Sequence, residues 1–271
     1  MGSKATTIDH KHKVSLRCVH CRELLKNKTK DHVFPRSWYP ETTPENVQRW
    51  TVPSCGKCNG KYGEMEKELL IRLVLCVGPV KAEAAGLSKT ALASLGVGVP
   101  GLSPTEKRHR LALKSRILRD ILPPDPGREC LPGFGAHAGF RKDSQLGIKI
   151  PEQLLKAVAE KIIRGCEYML SQKRIVEDPY AVKIYFAEAA NIQDVLKIFD
   201  HFGPVHLGPG FQVRRAAAHD DPNLVMYKID VWATLTIYAT ITERITGIAS
   251  PPSPITAATY SEQVKSISEI A

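Results

Sequence analysis

The stretch from residue 18 to residue 63 carries side chains suited to two kinds of chemistry. Cys18 and Cys21 form one C-x2-C knuckle, and Cys55 and Cys58 form a second. Two such knuckles present four sulfurs to one tetrahedral zinc ion. Zinc is redox-inert, and four thiolates leave it no open coordination position. A site of this kind staples a fold too small to bury a core unaided and performs no reaction. Gly56, inside the second knuckle, reads as a turn residue chosen for its missing Cβ. His20, inside the first, is a further ligand candidate. Because four cysteines already fill the shell, it is expected as an exposed knuckle residue.

Any catalysis must therefore come from the other residues of the stretch. Asp31-His32 lies between the knuckles, followed by Asn46, and Asn59 stands directly after the last cysteine with Lys61 and Gly63 beyond it. A plain zinc ribbon needs none of these. On an extended strand, neighbouring side chains point to opposite faces. The Asp31 carboxylate could then hold a hard divalent ion while the His32 imidazole faces a water or a substrate.

Read in order, the stretch is C-x2-C, Asp-His followed by Pro35, a central Asn, then C-x2-C-Asn with a nearby Lys and Gly. It resembles the HNH (ββα-metal) nuclease family in its zinc-stapled form, over roughly the first quarter of the chain. The resemblance implies a metal-dependent endonuclease that hydrolyses phosphodiester bonds in DNA and leaves 5′-phosphate ends. His32 is then the general base, Asp31 and Asn59 are ligands of a catalytic Mg²⁺ or Mn²⁺, and Asn46 braces the loop that carries the base. Lys61 becomes a phosphate contact. Asn46 lies nine residues before Cys55, so the loop through Gln48 and Trp50 is longer than in many relatives. Two other readings fit the cysteines. One is a zinc-ribbon nucleic-acid-binding module without catalysis, and the other is a partner-docking protein built on a decayed nuclease core. Neither explains Asp31, His32 and Asn59 at these positions.

Charge points to the same class of partner. Residues 1–75 carry 14 basic against 8 acidic side chains, residues 76–176 carry 17 against 9, and the last 95 residues carry 7 against 11. A basic surface over the first two thirds suits a polyanion, DNA or RNA, with an acidic C-terminal part that stays away from it. Arg36, beside Trp38 and Tyr39, and Arg108 and Arg110, on a basic helix, are candidate backbone contacts. The remaining cysteines, Cys76, Cys130 and Cys166, are scattered and odd in number. That argues against a disulfide framework and for a reducing, cytoplasmic setting. No apolar run approaches the ~20 residues of a membrane span.

The elements that must position these residues give an α+β fold. KTKDHVFP reads as the first strand of a hairpin, and Met65, Leu69, Leu73 and Cys76 recur at helical spacing after Asn59. That yields a ββα-metal core over 1–75. A basic helical region follows over 76–176: an irregular helix at 80–95, a helix opened by Ser103-Pro104 with Leu111, Leu118 and Leu122 inside, and an amphipathic helix from Pro151 to about Arg174. A small α+β unit over 177–245, with strands at 181–189, FQVRRAA, LVMYKIDV and WATLTIYATI and a turn at Asp221-Pro222-Asn223, precedes a flexible tail over 246–271. The unit reads as an appended recognition, regulatory or dimerisation module that the chemistry does not need. A monomer that nicks and a homodimer that cuts both strands are equally compatible with the sequence.

Overall fold

A computed structural model of the chain describes residues 16–77, 81–134, 144–187, 192–218, 221 and 224–242. His10, His12, His137, His219, Gly78-Pro79, Pro222-Asn223 and the tail lie outside them. Strand β1 (Thr29–His32) pairs antiparallel with β2 (Thr51–Ser54), with Asp31 opposite Val52 and His32 opposite Thr51. Pro35, which has no amide hydrogen to extend the ladder, ends the first strand and leads into one 3-10 turn, Arg36–Trp38. Helix α1 (Gly56–Val74) follows β2 with Cys55 as its N-cap. Gly56 is its first residue and has open space where a Cβ would stand. The knuckle therefore does not require a glycine there, because the chain turns into a helix instead of a tight loop.

The middle of the chain supplies α2 (Leu87–Leu95), α3 (Pro104–Arg119), the short pair β3 (Ile121–Leu122) and β4 (Gly147–Ile148), and α4 (Glu152–Leu170). Ser103 caps α3 by accepting from the Glu106 amide, as its sequence announces. The buried face of α3 differs from the expected one. Leu113 and Ile117 face the core, whereas Leu111 is 49% and Leu118 56% exposed. Only one narrow stripe of this helix is covered, so two leucines remain outside it. Helix α4 ends at Leu170, four residues early, where Gln172 and Lys173 take positive φ of 46° and 68°. That left-handed pair turns the chain out of the helix.

The C-terminal strands form one antiparallel sheet in the order β5-β9-β8-β7-β6. Its strands are β5 (Val182–Tyr185), β6 (Val205–His206), β7 (Phe211–Ala217), β8 (Leu224–Val231) and β9 (Leu235–Thr242). Alternation along β8 and β9 sends Val225, Tyr227, Ile229, Leu235, Ile237 and Ile241 to one face. Met226 and Tyr238 face the other way, where Val195, Ile198 and Phe199 of α5 (Gln193–Asp200) cover them. The architecture is α+β with antiparallel sheets.

The expected boundaries near residues 75 and 176 are not boundaries of packing. One continuous core takes in Val33, Phe34 and Trp38 from the N-terminal part, Ile162 and Cys166 from α4, and Phe211 and Trp232 from the sheet. Phe34 stacks on Phe211 at 4.3 Å and Trp38 on Trp232 at 5.2 Å, pairs worth about 0.5–1.5 kcal/mol each beyond their burial. Trp232 Nε1 donates to the Trp38 carbonyl at 2.8 Å. On the far side of α4, Glu167 accepts from Tyr227 Oη at 2.5 Å and from Arg215 Nε and Nη2 at 3.0 and 3.1 Å. Burial pushes the Glu167 carboxyl up, but the bonds from Arg215 and Tyr227 outweigh it and hold the carboxyl below the usual range.

From the shared core, the C-terminal sheet is expected to be needed for folding. A chain ending at residue 176 should lose cooperative unfolding in urea. Trp232→Ala in the full chain should lower stability by about 3–5 kcal/mol. Because the Glu167 carboxyl titrates below its ordinary value, its contribution is complete above the usual glutamate range. It is lost as pH falls through the folded-state value. Glu167→Gln should flatten that acid-side loss in a series of urea titrations.

Candidate metal centre and the strand beside it

The two knuckles meet. All four Sγ atoms of Cys18, Cys21, Cys55 and Cys58 lie within 4.8 Å of one another, and Cys21 Sγ stands 3.8 Å from Cys55 Sγ. Zinc–sulfur bonds of about 2.3 Å in a tetrahedron give edges of about 3.8 Å, so the spacing fits one ion. Two backbone amides already point at the sulfurs, Cys55 N to Cys18 Sγ and Cys58 N to Cys55 Sγ, each at 3.4 Å. Burial works against the Cys18 thiolate, but amides around it bring the thiol down to about 7. Burial and the neighbouring sulfurs push Cys21 up to about 11 and Cys58 higher still. Four thiolates this close need a cation between them, and these four cysteines can hold a metal ion such as zinc.

His20 departs from its expected exposure, being only 6% exposed. Its Nε2 is 2.8 Å from Asp31 Oδ2, and the edge of its ring meets Tyr62 at 5.0 Å. Burial lowers its pKa against the pull of Asp31, which leaves a neutral ring whose Nε2–H donates to the carboxylate. The Val19 amide bonds the Pro53 carbonyl at 3.0 Å and ties the same knuckle to β2. The four-cysteine cluster is thus joined directly to the strand that carries Asp31 and His32.

Asp31 faces inward. Its Oδ1 is 3.3 Å from Lys161 Nζ on α4, while Oδ2 is held by His20. Burial raises its pKa, and His20 and Lys161 lower it further than that, so it stays ionised. With 6% of the side chain exposed and both oxygens engaged, the carboxylate has no room for Mg²⁺ and the several waters that ion keeps. The residues as arranged do not fit Mg²⁺ at Asp31. Asn59 is half-buried in the first turn of α1 and has no hydrogen bond to Asp31 among the described residues. Asn46 is exposed in a turn and makes no side-chain hydrogen bond among them. The bracing expected of Asn46 comes from elsewhere: the Val33 amide bonds the Trp50 carbonyl at 2.9 Å, and Lys161 donates to the carbonyls of His32 and Val33.

His32 lies half-buried on the opposite face from Asp31, as the strand's alternation requires. Its Nδ1 is buried and has no hydrogen-bond partner among the described residues. Burial lowers its pKa, the charges of Lys161, Arg36 and Arg49 lower it further, and Asp31 only partly opposes them. The ring is neutral at neutral pH and sits in a positive field. Arg49, on the long loop before β2, was not singled out in the sequence. Its signal was parity: the Val33–Trp50 bond continues the pairing beyond the strand ends, which brings Arg49 to the side of Thr51 and His32. Its guanidinium carbon stands 5.0 Å over the Tyr39 ring.

Among the other expected contacts, Arg36, Lys61 and Arg108 are exposed, and Lys61 Nζ lies 5.8 Å over the Tyr62 ring. Arg110 is engaged within the fold. It pairs with Glu106 at 2.9 Å and donates to the carbonyls of Ala93 and Gly96 at 3.3 and 2.9 Å, closing the C-terminal end of α2. No helix among the described residues is long and apolar enough to cross a membrane. Comparison with protein-family models, curated proteins and solved structures finds no match.

Elemental analysis of the purified protein should find about one zinc per chain. Cys58→Ser should unfold or aggregate. A stable, zinc-free Cys58→Ser protein would show that the thiols do not form a structural site.

Proposed function

We propose that the chain is an endonuclease of the HNH kind that hydrolyses phosphodiester bonds in DNA, with His32 as the general base. The observation that carries this reading is the His32 imidazole itself, neutral and only half-buried, in the field of Arg36, Arg49 and Lys161. A phosphodiester brings negative charge and needs a water deprotonated beside it. In this reading His32 takes the water proton, while Arg36 and Arg49 attract the phosphate and stabilise the charge that grows on it. The first knuckle, the hairpin, the second knuckle and the helix, in that order, support the resemblance. Mg²⁺ or Mn²⁺ would supply Lewis acidity at the phosphate. No step is assigned to the ion, because Asp31 as it stands does not fit it.

A zinc-ribbon module that binds nucleic acid without cutting it is the second reading. The observation favouring it is the engaged, buried Asp31 carboxylate. Nicking of supercoiled plasmid by the purified protein in Mg²⁺ or Mn²⁺, with EDTA as control, separates the two. RNA and single-stranded DNA in the same assay identify the polymer.

His32→Ala should lose cleavage by roughly 10² to 10⁴ while zinc content and DNA affinity stay near those of the parent. A lowered pKa keeps the base neutral further into acid, so the acid limb of the rate profile should lie below about pH 6.5, the ordinary histidine value. Cleavage by His32→Ala at the parent rate would end the enzymatic reading.

DNA binding should weaken steeply with salt, since it rests on counterion release. Arg36→Glu and Arg49→Glu should weaken it more than Arg110→Glu, whose main effect should be on stability. Fluorescence anisotropy across a salt series measures both.

A further inference from the structure

We infer that the cation of the Asp31 site is the Lys161 ammonium, and that Asp31 and Lys161 together are positioning residues for His32. The inference rests on the reading of His32 as the base. Lys161 is wholly buried and reaches β1 from the middle of α4. Its Nζ lies 2.7 Å from Glu66 Oε1 and 3.3 Å from Asp31 Oδ1, and it donates to the carbonyls of His32 and, at 3.3 Å, Val33. Those acceptors are two carboxylates and two consecutive carbonyls at the end of the strand. The set is all oxygen and includes two carboxylates, which is what a small metal ion would otherwise recruit. Here one ammonium meets it, donating to the two carbonyls and ion-paired with the two carboxylates, and His20 holds the remaining Asp31 oxygen.

The close approach of α4 makes this possible. A Cβ at Gly165, one turn along the helix, would stand 2.9 Å from the Val33 methyl carbons. Glycine lets the strand end lie against the helix backbone, within reach of the lysine stem. An ion at Asp31 would have to displace an ammonium from a site without solvent and leave Glu66 unpaired. The His32 carbonyl is one of the lysine's acceptors, so the backbone that carries the imidazole is fixed from behind its reactive face. Misplacement of a reacting group by about 1 Å costs on the order of 10²-fold in rate.

The test uses the full-length, zinc-loaded protein with Asp31→Asn, Lys161→Met and the double variant. Mn²⁺ binding is read by electron paramagnetic resonance, Tm by calorimetry, and plasmid cleavage as kcat, KM and the metal concentration giving half-maximal rate. Asp31→Asn should bind Mn²⁺ as the parent does and keep the parent's metal requirement, with kcat reduced and KM unchanged. The double variant should lose less Tm than the two single losses together, because the Asp31–Lys161 interaction is then lost only once.

Tenfold weaker Mn²⁺ binding or a tenfold higher metal requirement in Asp31→Asn would make Asp31 a metal ligand and overturn the inference. Additive Tm losses would overturn it too. A parent protein that binds DNA but cuts nothing would remove the nuclease reading. The Tm cycle and the Mn²⁺ measurement would still decide the Asp31–Lys161 pairing.

Discussion

The position of the candidate site depends on charge buried in one helix. Lys161, Arg164 and Glu167 follow one another at intervals of three along α4, and all are buried. Lys161 holds the end of β1. Arg164 donates to the carbonyls of Val176 and Pro179 at 3.1 and 3.0 Å and anchors the segment before β5, and Glu167 binds Arg215 and Tyr227 of the sheet. Taking such groups out of water is expensive, and an apolar replacement for a complete pair is often no less stable. What ion pairs and hydrogen bonds add is direction. A leucine at 161 would fill the space without fixing where the His32 carbonyl lies.

This dependence explains which parts of the molecule the sequence disclosed. The knuckles, the hairpin, the helix after Cys55, the Ser103 cap and the alternation of β8 and β9 are local patterns, each set by residues a few positions apart. His20 and Lys161 carry no local mark. A histidine inside a knuckle looks exposed until Asp31 comes to meet it from eleven residues away, and a lysine on an amphipathic helix looks solvated until β1 arrives from 129 residues away. Asp31 illustrates the same limit. Its parity on the strand was readable, and it does face away from His32. What waits on that inner face is a tertiary fact.

Composition misled in a second way. The change of charge near residue 176 is real and suggested an appended module, yet charge patterns report surfaces and not cores. The buried face of the sheet is apolar, and it completes one core with Trp38, Phe34 and α4. Similarly, the leucines of α3 could be counted, but which of them turn inward depended on how little of that helix its neighbours cover.

Trp232 sits at the tip of the β8–β9 hairpin with φ of 53°, followed by Ala233 at 48°. Left-handed backbone is unfavourable for a residue this bulky and persists only where surroundings enforce it. The enforcing contacts are with Trp38, 194 positions earlier in the chain, and with the Gly210 carbonyl, which accepts from the Trp232 amide at 2.7 Å. Because a chain is synthesised from its N-terminus, the two cysteine knuckles can meet long before this contact can form. The strand that carries His32 lacks its final packing until β8 and β9 have left the ribosome. The candidate site would then acquire its order only at the end of translation, so that chains released before β8 would have their cysteine knuckles together yet remain incomplete.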